Sequence, residues 1–266
     1  MTIYEHELKN AYIWDGLWNW DLSKASSSNR KSATVSRSWW YWYGWLFSSD
    51  WTIYTVQYWE AGYTDQYRLS TAWDITTIGS AFYSMSKQWS SSYTWWCFGN
   101  DWRIFLTRNS GWTFIKYTLS TPRLLSTRGS WTSMTIWDVS NTADQYCFSE
   151  DGTKFIYSND SNKKLEQSTN TAWSITWTWT VILTGTDLAR WTFDTYWDYF
   201  YLMYKNWTIK KYKLPNQYDL TGMTEKQSVS LWIGGCVWLA FDTLWNNMYI
   251  LVQWYNTQTI YQYTLN

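Results

Sequence analysis

The chain has 266 residues, enough for one large all-β domain or two smaller ones and for a substantial buried core. Its 21 basic and 21 acidic side chains balance, which leaves no electrostatic footprint for nucleic acid or an anionic membrane surface, and no apolar run approaches the length of a membrane span. The composition is skewed in one respect: 27 Trp stand beside only 12 Gly and 2 Pro, in a chain rich in the strand and turn residues Ser, Thr, Asn, Asp and Tyr.

Taken in chain order, the opening MTIYEHELKN carries neither the basic region nor the apolar region of an export signal. Within it, IYEHELKNAYI from Ile3 has the form of a strand met again five times downstream. From Gly44 a unit of roughly 48 residues recurs. Each copy opens on an aromatic residue, a polar turn and a β-rich strand: GWLFSSDWTIYTVQY from Gly44, WCFGNDWRIFLTRN from Trp96, YCFSEDGTKFIYSND from Tyr146, WTFDTYWDYFYLMYKN from Trp191 and WLAFDTLWNNMYILVQ from Trp238. The anchor aromatics Phe47, Phe98, Phe148, Phe193 and Phe241 are separated by 51, 50, 45 and 48 residues. After a short polar loop each copy continues with a further strand: DQYRLSTAWDIT from Asp65, FIKYTLSTPRLL from Phe114, KLEQSTNTAWSIT from Lys164, IKKYKLPNQYDLT from Ile209 and IYQYTLN from Ile260.

Ile209, Lys211 and Lys213 alternate with Lys210, Tyr212 and Leu214, the period of two expected of a strand with one buried face. Variable stretches such as SAFYSMSKQ from Ser80 and TVILTG from Thr180 supply a fourth strand. No segment combines helical periodicity with caps. Four short strands per unit is the grammar of a propeller blade. The expectation is therefore an all-β protein, a single β-propeller domain over residues 1–266 with five four-stranded blades, six being the alternative, and with strands from both termini able to close one blade.

Aligning the copies shows where the tryptophans fall. One hairpin turn reads Asp151-Gly152-Thr153, another Asp50-Trp51-Thr52, and a third Asn100-Asp101-Trp102. Such turns need positive φ, which glycine adopts without strain. Thr94-Trp95-Trp96-Cys97 likewise corresponds to Ile233-Gly234-Gly235-Cys236. A non-glycine residue in a left-handed conformation costs roughly 1 to 2 kcal/mol, so a dozen would exhaust a domain stability of about 5 to 15 kcal/mol. The pattern implies UGA codons that the source organism reads as glycine. Trp73 and Trp173, which repeat inside TAWDI and TAWSI, are the exceptions with a structural role. The competing account is a genuine tryptophan-rich lectin whose indoles stack on sugars.

With glycine restored in those slots, the units resemble a WD40-like propeller repeat of the form FSxDGTKhYV followed by YQYTLSTAWDIT, a pattern carried in this chain by FSEDGTKFIYSND, DQYRLSTAWDITT and TIYQYTLN. Repeats of this kind occur in phage virion and tail-associated proteins and in bacterial surface or secreted propellers. The resemblance implies a virion or cell-surface location and a binding or structural role. The chain departs from the pattern at Pro122 and Pro215, where the AWD element is lost or altered, and those third-strand exits are expected to differ in shape.

Catalytic chemistry has little support. His6 is the only histidine and lies near a terminus, so a nucleophile triad lacks a base. Asp50, Asp101 and Asp151 recur at the hairpin turn, where a carboxylate hydrogen-bonds backbone amides; Asp74 and Asp219 invite the same structural reading. SNDSNKK from Ser158 lacks the spacing of a calcium loop, and no phosphate-cradling loop is present. Cys97, Cys147 and Cys236 form an odd set without CxxC spacing and read as small buried thiols. No metal or cofactor is expected. The candidate contacts are polar and aromatic residues of the loops between second and third strands: Tyr58, Glu60 and Tyr63; Arg108 and Asn109; Asn159 and Asp160; Lys205 and Asn206; Tyr255 and Asn256. Equivalent loops of a propeller gather on one face, which would receive a glycan or protein ligand. Two alternatives stand behind this: a lactonase-like or glycan-cleaving enzyme with carboxylates or a metal in the axial channel, and an intracellular assembly platform with a broad apolar face.

Overall fold

The computed structural model describes residues 30–35, 42–47, 52–58, 63–72, 74–86, 96–99, 103–108, 113–122, 124–135, 143–149, 151–159, 163–170, 179–185, 188–193, 198–231, 236–241, 247–254 and 257–265, with Leu22 and Ala25. Their regular structure is strand, apart from short 3₁₀ turns such as Ile75–Thr77 and Leu125–Thr127. The first strand of the chain is β1 (Arg30–Val35). Blade 1 follows as β2 (Trp42–Phe47), β3 (Ile53–Tyr58), β4 (Tyr63–Leu69) and β5 (Ile78–Ser86). Blade 2 is β6 (Trp96–Gly99), β7 (Ile104–Arg108), β8 (Thr113–Leu119) and β9 (Arg128–Thr135). Blade 3 is β10 (Ala143–Phe148), β11 (Lys154–Asn159), β12 (Lys164–Thr169) and β13 (Trp179–Thr184). Blade 4 is β14 (Leu188–Phe193), β15 (Tyr199–Tyr204), β16 (Thr208–Lys213) and β17 (Thr224–Ser230). Blade 5 takes β18 (Cys236–Phe241), β19 (Asn247–Trp254) and β20 (Thr257–Thr264) from the C-terminal end, and its outer strand is β1. β1 pairs antiparallel with β20, from Arg30 opposite Tyr263 to Val35 opposite Gln258.

These five antiparallel sheets close into a five-bladed β-propeller. The first strands line the axis: β6 packs beside β10, β14 beside β18, and β18 beside β2. Each anchor phenylalanine ends its first strand or stands one residue from its end, and each is paired across the ladder with the residue seven positions on. Phe47 faces Tyr54, Phe98 faces Phe105, Phe148 faces Phe155, Phe193 faces Phe200 and Phe241 faces Met248. All five partners are fully buried. The sequence period is thus one cross-strand hydrophobic pair per blade, the unit that fixes sheet register.

Burial falls from the second strand outward. YFYLMY of β15 is buried across its four central residues, whereas TEKQSVS of β17 alternates between exposed and half-buried. Inner strands are covered on both faces by neighbouring blades and so read as unbroken apolar runs. This corrects the single buried face expected of β16. Ile209 and Lys211 on one face and Tyr212 on the other are all buried, because blades flank both sides. The Lys211 ammonium lies 4.4 Å from the centre of the Tyr199 ring, a cation–π arrangement suited to a buried lysine.

A repeated hydrogen bond locks blade to blade. The side-chain oxygen of Gln262 in blade 5 accepts the backbone N–H of Ile75 in blade 1 at 3.3 Å. Gln66 of blade 1 accepts from Leu125 of blade 2 at 3.1 Å, and Gln167 of blade 3 from Leu220 of blade 4 at 2.9 Å. In each case the donating residue is an aliphatic side chain at 0% exposure, between third and fourth strands. Where blade 4 meets blade 5, the position equivalent to these glutamines holds Lys211, and the glutamine has moved across the ladder. Gln227 of β17, directly opposite Lys211, accepts the N–H of the fully buried Leu22 at 3.1 Å. Between blades 3 and 4 a second amide bridges the first strands: Gln145 donates to the Trp191 carbonyl at 2.6 Å and accepts from its N–H at 2.9 Å. The glutamine oxygens thus satisfy buried backbone donors, and the Gln145 amide nitrogen a backbone acceptor.

The third-strand exits qualify the expectation drawn from the two prolines. At Pro122 the shape is retained: the Thr127 hydroxyl donates to the Leu124 carbonyl and accepts the Thr121 N–H, as Thr77 does with Asp74 and Thr71. The buried Leu125 and the Thr127 hydroxyl, which the element shares with Ile75 and Thr77, carry the turn without the tryptophan and aspartate. At Pro215 the exit does differ. It contains an isolated bridge between Asn216 and Asp219, with Tyr218 at φ 65° and Gly222 at φ 78°.

Candidate functional site

A meander of four strands sends its connections to two opposite ends. Hairpins between first and second strands share one end with the connections between third and fourth strands; loops between second and third strands occupy the other.

At the first end the recurring carboxylates are engaged in turns. Asp151 accepts the Thr153 N–H at 3.0 Å and hydroxyls of Ser149 and Thr153 at 2.5 and 2.8 Å, and Gly152 beside it has φ 71°. Asp74 accepts the N–H and hydroxyl of Thr76 at 3.0 and 2.6 Å and pairs with Lys31 of β1 at 3.1 Å. Asp219 accepts the Thr221 N–H at 2.9 Å and the Gln167 amide at 3.0 Å. The Thr76 hydroxyl, ahead of opposing burial, and the Lys31 ammonium hold the Asp74 carboxyl below its ordinary range. For Asp151 and Asp219 burial pushes upward, and hydrogen bonds to Ser149 and Thr153, and to Thr221 and Gln167, outweigh it and lower both. Groups held ionised by donors in this way serve as turn anchors. Proton transfer at neutral pH needs a carboxyl whose pKa is raised towards 7. Asp50, Asp101, Trp73 and Trp173 lie outside the described residues, as does His6.

At the opposite end Lys205 and Asn206 are exposed on the β15–β16 hairpin. The Trp207 N–H donates to the Tyr204 carbonyl at 3.0 Å, the Asn206 side chain accepts the Thr208 N–H at 3.2 Å, and Trp207 has φ 68°. This is a type I turn closed by a left-handed residue, the three-residue hairpin loop in which glycine is favoured. In blade 3 the equivalent residue is Lys163 at φ 52°. The backbone places Tyr58 at the end of β3, Tyr63 at the start of β4, Arg108 at the end of β7 and Asn159 at the end of β11, all at the same end as Lys205 and Asn206. Glu60, Asn109, Asp160, Tyr255 and Asn256 lie outside the described residues. The topology thus assembles part of the expected ring: exposed polar groups from blade 4 and strand-end positions from blades 1, 2 and 3. Among the described residues no three His, Cys, Asp or Glu side chains gather as metal ligands would.

No family model matches the chain, and no curated protein matches it. The similarities lie in shape. A functionally unknown protein from Desulfotomaculum acetoxidans aligns at TM-score 0.49 and 13% identity over 80% of this chain. The chain spans 63% of that protein's length. The β-propeller domain of Cps50 (Swd1) from Myceliophthora thermophila aligns at 0.49 and 10% identity, covering 82% of this chain and 81% of that one. A chain of a mitotic checkpoint complex aligns at 0.48 and 8%, covering 85% and 75%. The five-bladed architecture rests on the sheets themselves, and it is a scaffold commonly used for binding or assembly.

The glutamines of the blade joints escape a reading of single copies. Their signal lies in the alignment: Gln66, Gln167 and Gln262 hold one position in QYRL, EQST and YQYT.

Proposed function

We propose that the chain is a binding or structural module without catalytic activity, which recognises a glycan or another protein through the end carrying the loops between second and third strands. The observation that carries this reading is the contrast between the two ends. One end uses Asp74, Asp151, Asp219 and the threonine hydroxyls to build its own turns. The other exposes Lys205 beside Asn206, whose side chain also accepts the Thr208 N–H of its own hairpin, and the strand ends at Tyr58, Tyr63, Arg108 and Asn159 converge on it. Tyrosine combines a flat apolar ring with a hydroxyl, and with amide and cationic neighbours it suits the faces and hydroxyls of a sugar. A virion or cell-surface setting belongs to the same reading and rests on the repeat resemblance. Tail, capsid or envelope genes beside this one would support it.

The test is binding to an array of bacterial surface glycans. Specific retention is expected, weakened at least about tenfold, or about 1.4 kcal/mol, by the double substitution Lys205→Ala and Asn206→Ala. Lys226→Ala, an exposed change on β17, should leave it unaltered. Equal loss from the β17 change, or hydrolysis of an arrayed glycan, would remove this reading. The coding of the tryptophans is part of the proposal: most stand where the natural protein carries glycine. Trp207, at φ 68° in a hairpin slot, supports it.

A further inference from the structure

Two of the three cysteines stand one repeat apart. Cys97 and Cys147 each precede the anchor phenylalanine of their blade by one residue, and their separation equals that of Phe98 and Phe148. One repeat along the chain is one blade around the ring, so the two thiols arrive at the same level on first strands that pack side by side, β6 and β10. Cys97 is opposite Leu106 and Cys147 opposite Ile156 in their own ladders. Both pack into one hydrophobic cluster with Leu106, Phe114, Tyr146 and Phe148. The Cys147 thiol donates to the Phe148 carbonyl at 3.0 Å, and Cys97 is near enough to act on it electrostatically. Cys97 is 7% exposed, whereas Cys147 is half-buried as a residue.

We propose that Cys97 and Cys147 form a redox staple, a disulfide that joins the axial strands of blades 2 and 3 when the protein meets a low-molecular-weight disulfide as oxidant. The chemistry balances in two exchanges. The Cys147 thiolate attacks one sulfur of the oxidant, forming a mixed disulfide and expelling the first small thiolate. The Cys97 thiolate then attacks the Cys147 sulfur, forming the protein disulfide and expelling the second. The two cysteines lose two protons and two electrons; the oxidant's S–S bond takes up the electrons, and its thiolates take up the protons. No backbone must travel from one side of the molecule to the other, because the two cysteines stand at one level on neighbouring first strands and pack into one cluster. The Cys97 contact, followed by burial, pushes the Cys147 thiol well above its ordinary value, so the first exchange is slow near neutral pH and accelerates in alkali. The closed loop spans one whole repeat, long enough for the bond to restrict the unfolded chain appreciably.

The experiment uses the full chain equilibrated in graded mixtures of oxidised and reduced glutathione. Remaining thiols are alkylated, and the digest is mapped by mass spectrometry beside a melting curve for each mixture. The proposal expects the Cys97 and Cys147 peptides to become cross-linked to each other together, with Cys236 still alkylated. The melting midpoint should rise by several degrees and fall back on adding dithiothreitol, and closure should quicken between about pH 7 and about pH 10. Cys147→Ser and Cys97→Ser should each abolish the rise. Three alkylatable thiols in the most oxidising mixture, a glutathione adduct that stays on Cys147, or a bridge to Cys236 would each overturn it. The wild-type cross-link map decides the matter even if a serine variant does not fold.

Discussion

Trp207 carries the largest aromatic side chain in a backbone conformation that favours glycine. Its φ of 68° closes the β15–β16 hairpin, and its carbonyl accepts the Leu231 N–H at 3.0 Å, so the position cannot relax without releasing the start of the next connection. A left-handed non-glycine residue costs roughly 1 to 2 kcal/mol. Trp207→Gly should therefore raise stability by about 1 kcal/mol, read as a higher urea midpoint with an unchanged m-value. Nucleotide sequencing should find UGA at Trp207, and at Trp51, Trp102 and Trp245 as well; UGG at these four would end the recoding account. Lys163 occupies the same slot in blade 3 at φ 52°, so the fold tolerates individual exceptions to a glycine rule that composition alone makes look absolute.

At the scale of elements, the blade is legible in the sequence because its signal is local. The anchor phenylalanines, the hairpin Asp151-Gly152 and the polar fourth strands lie within a few residues of their partners. Joints between blades are not legible, since each connects residues about 50 or more positions apart. Gln66 and Leu125 meet only once the ring exists, and Lys211 looks like a solvated lysine until blade 5 covers it. The Pro122 exit shows a further limit: the motif announces itself by tryptophan and aspartate, while the turn depends on Leu125 and Thr127. The candidate face is legible in outline, through residue type and loop position, although five of its eleven residues fall outside the described structure. The glutamine joints yield a direct prediction. Truncating Gln66, Gln167 or Gln262 to Ala leaves a buried N–H unsatisfied and should cost about 1 to 3 kcal/mol each. Gln227→Ala should cost a similar amount despite lying on an outer strand, because it holds Leu22. Lys226→Ala on the same strand should be neutral. Urea titration of the four variants and that control would check the assignment.

For the whole molecule, ring closure depends on β1. It covers the open edge of β20, and Lys31 ties blade 5 to blade 1 through Asp74 while Gln262 holds Ile75. Removing residues 1–35 should expose the edge of β20, abolish the single cooperative melting transition and promote association through that edge. A synthetic peptide spanning residues 20–36 added to the truncated chain should restore the transition. A truncated chain that melts as the intact one does would mean that blade 5 closes without β1.

The pairing of β1 with β20 also sets an order of events at the ribosome. Arg30 and its partner Tyr263 are among the first and last of these residues to be made. At about 5 to 20 residues per second, β1 waits on the order of ten to fifty seconds for the strand that will shelter it. Its sequence, RKSATV, opens with two charges and carries few apolar side chains. Such a strand can stay hydrated through that interval without capturing a neighbouring nascent chain.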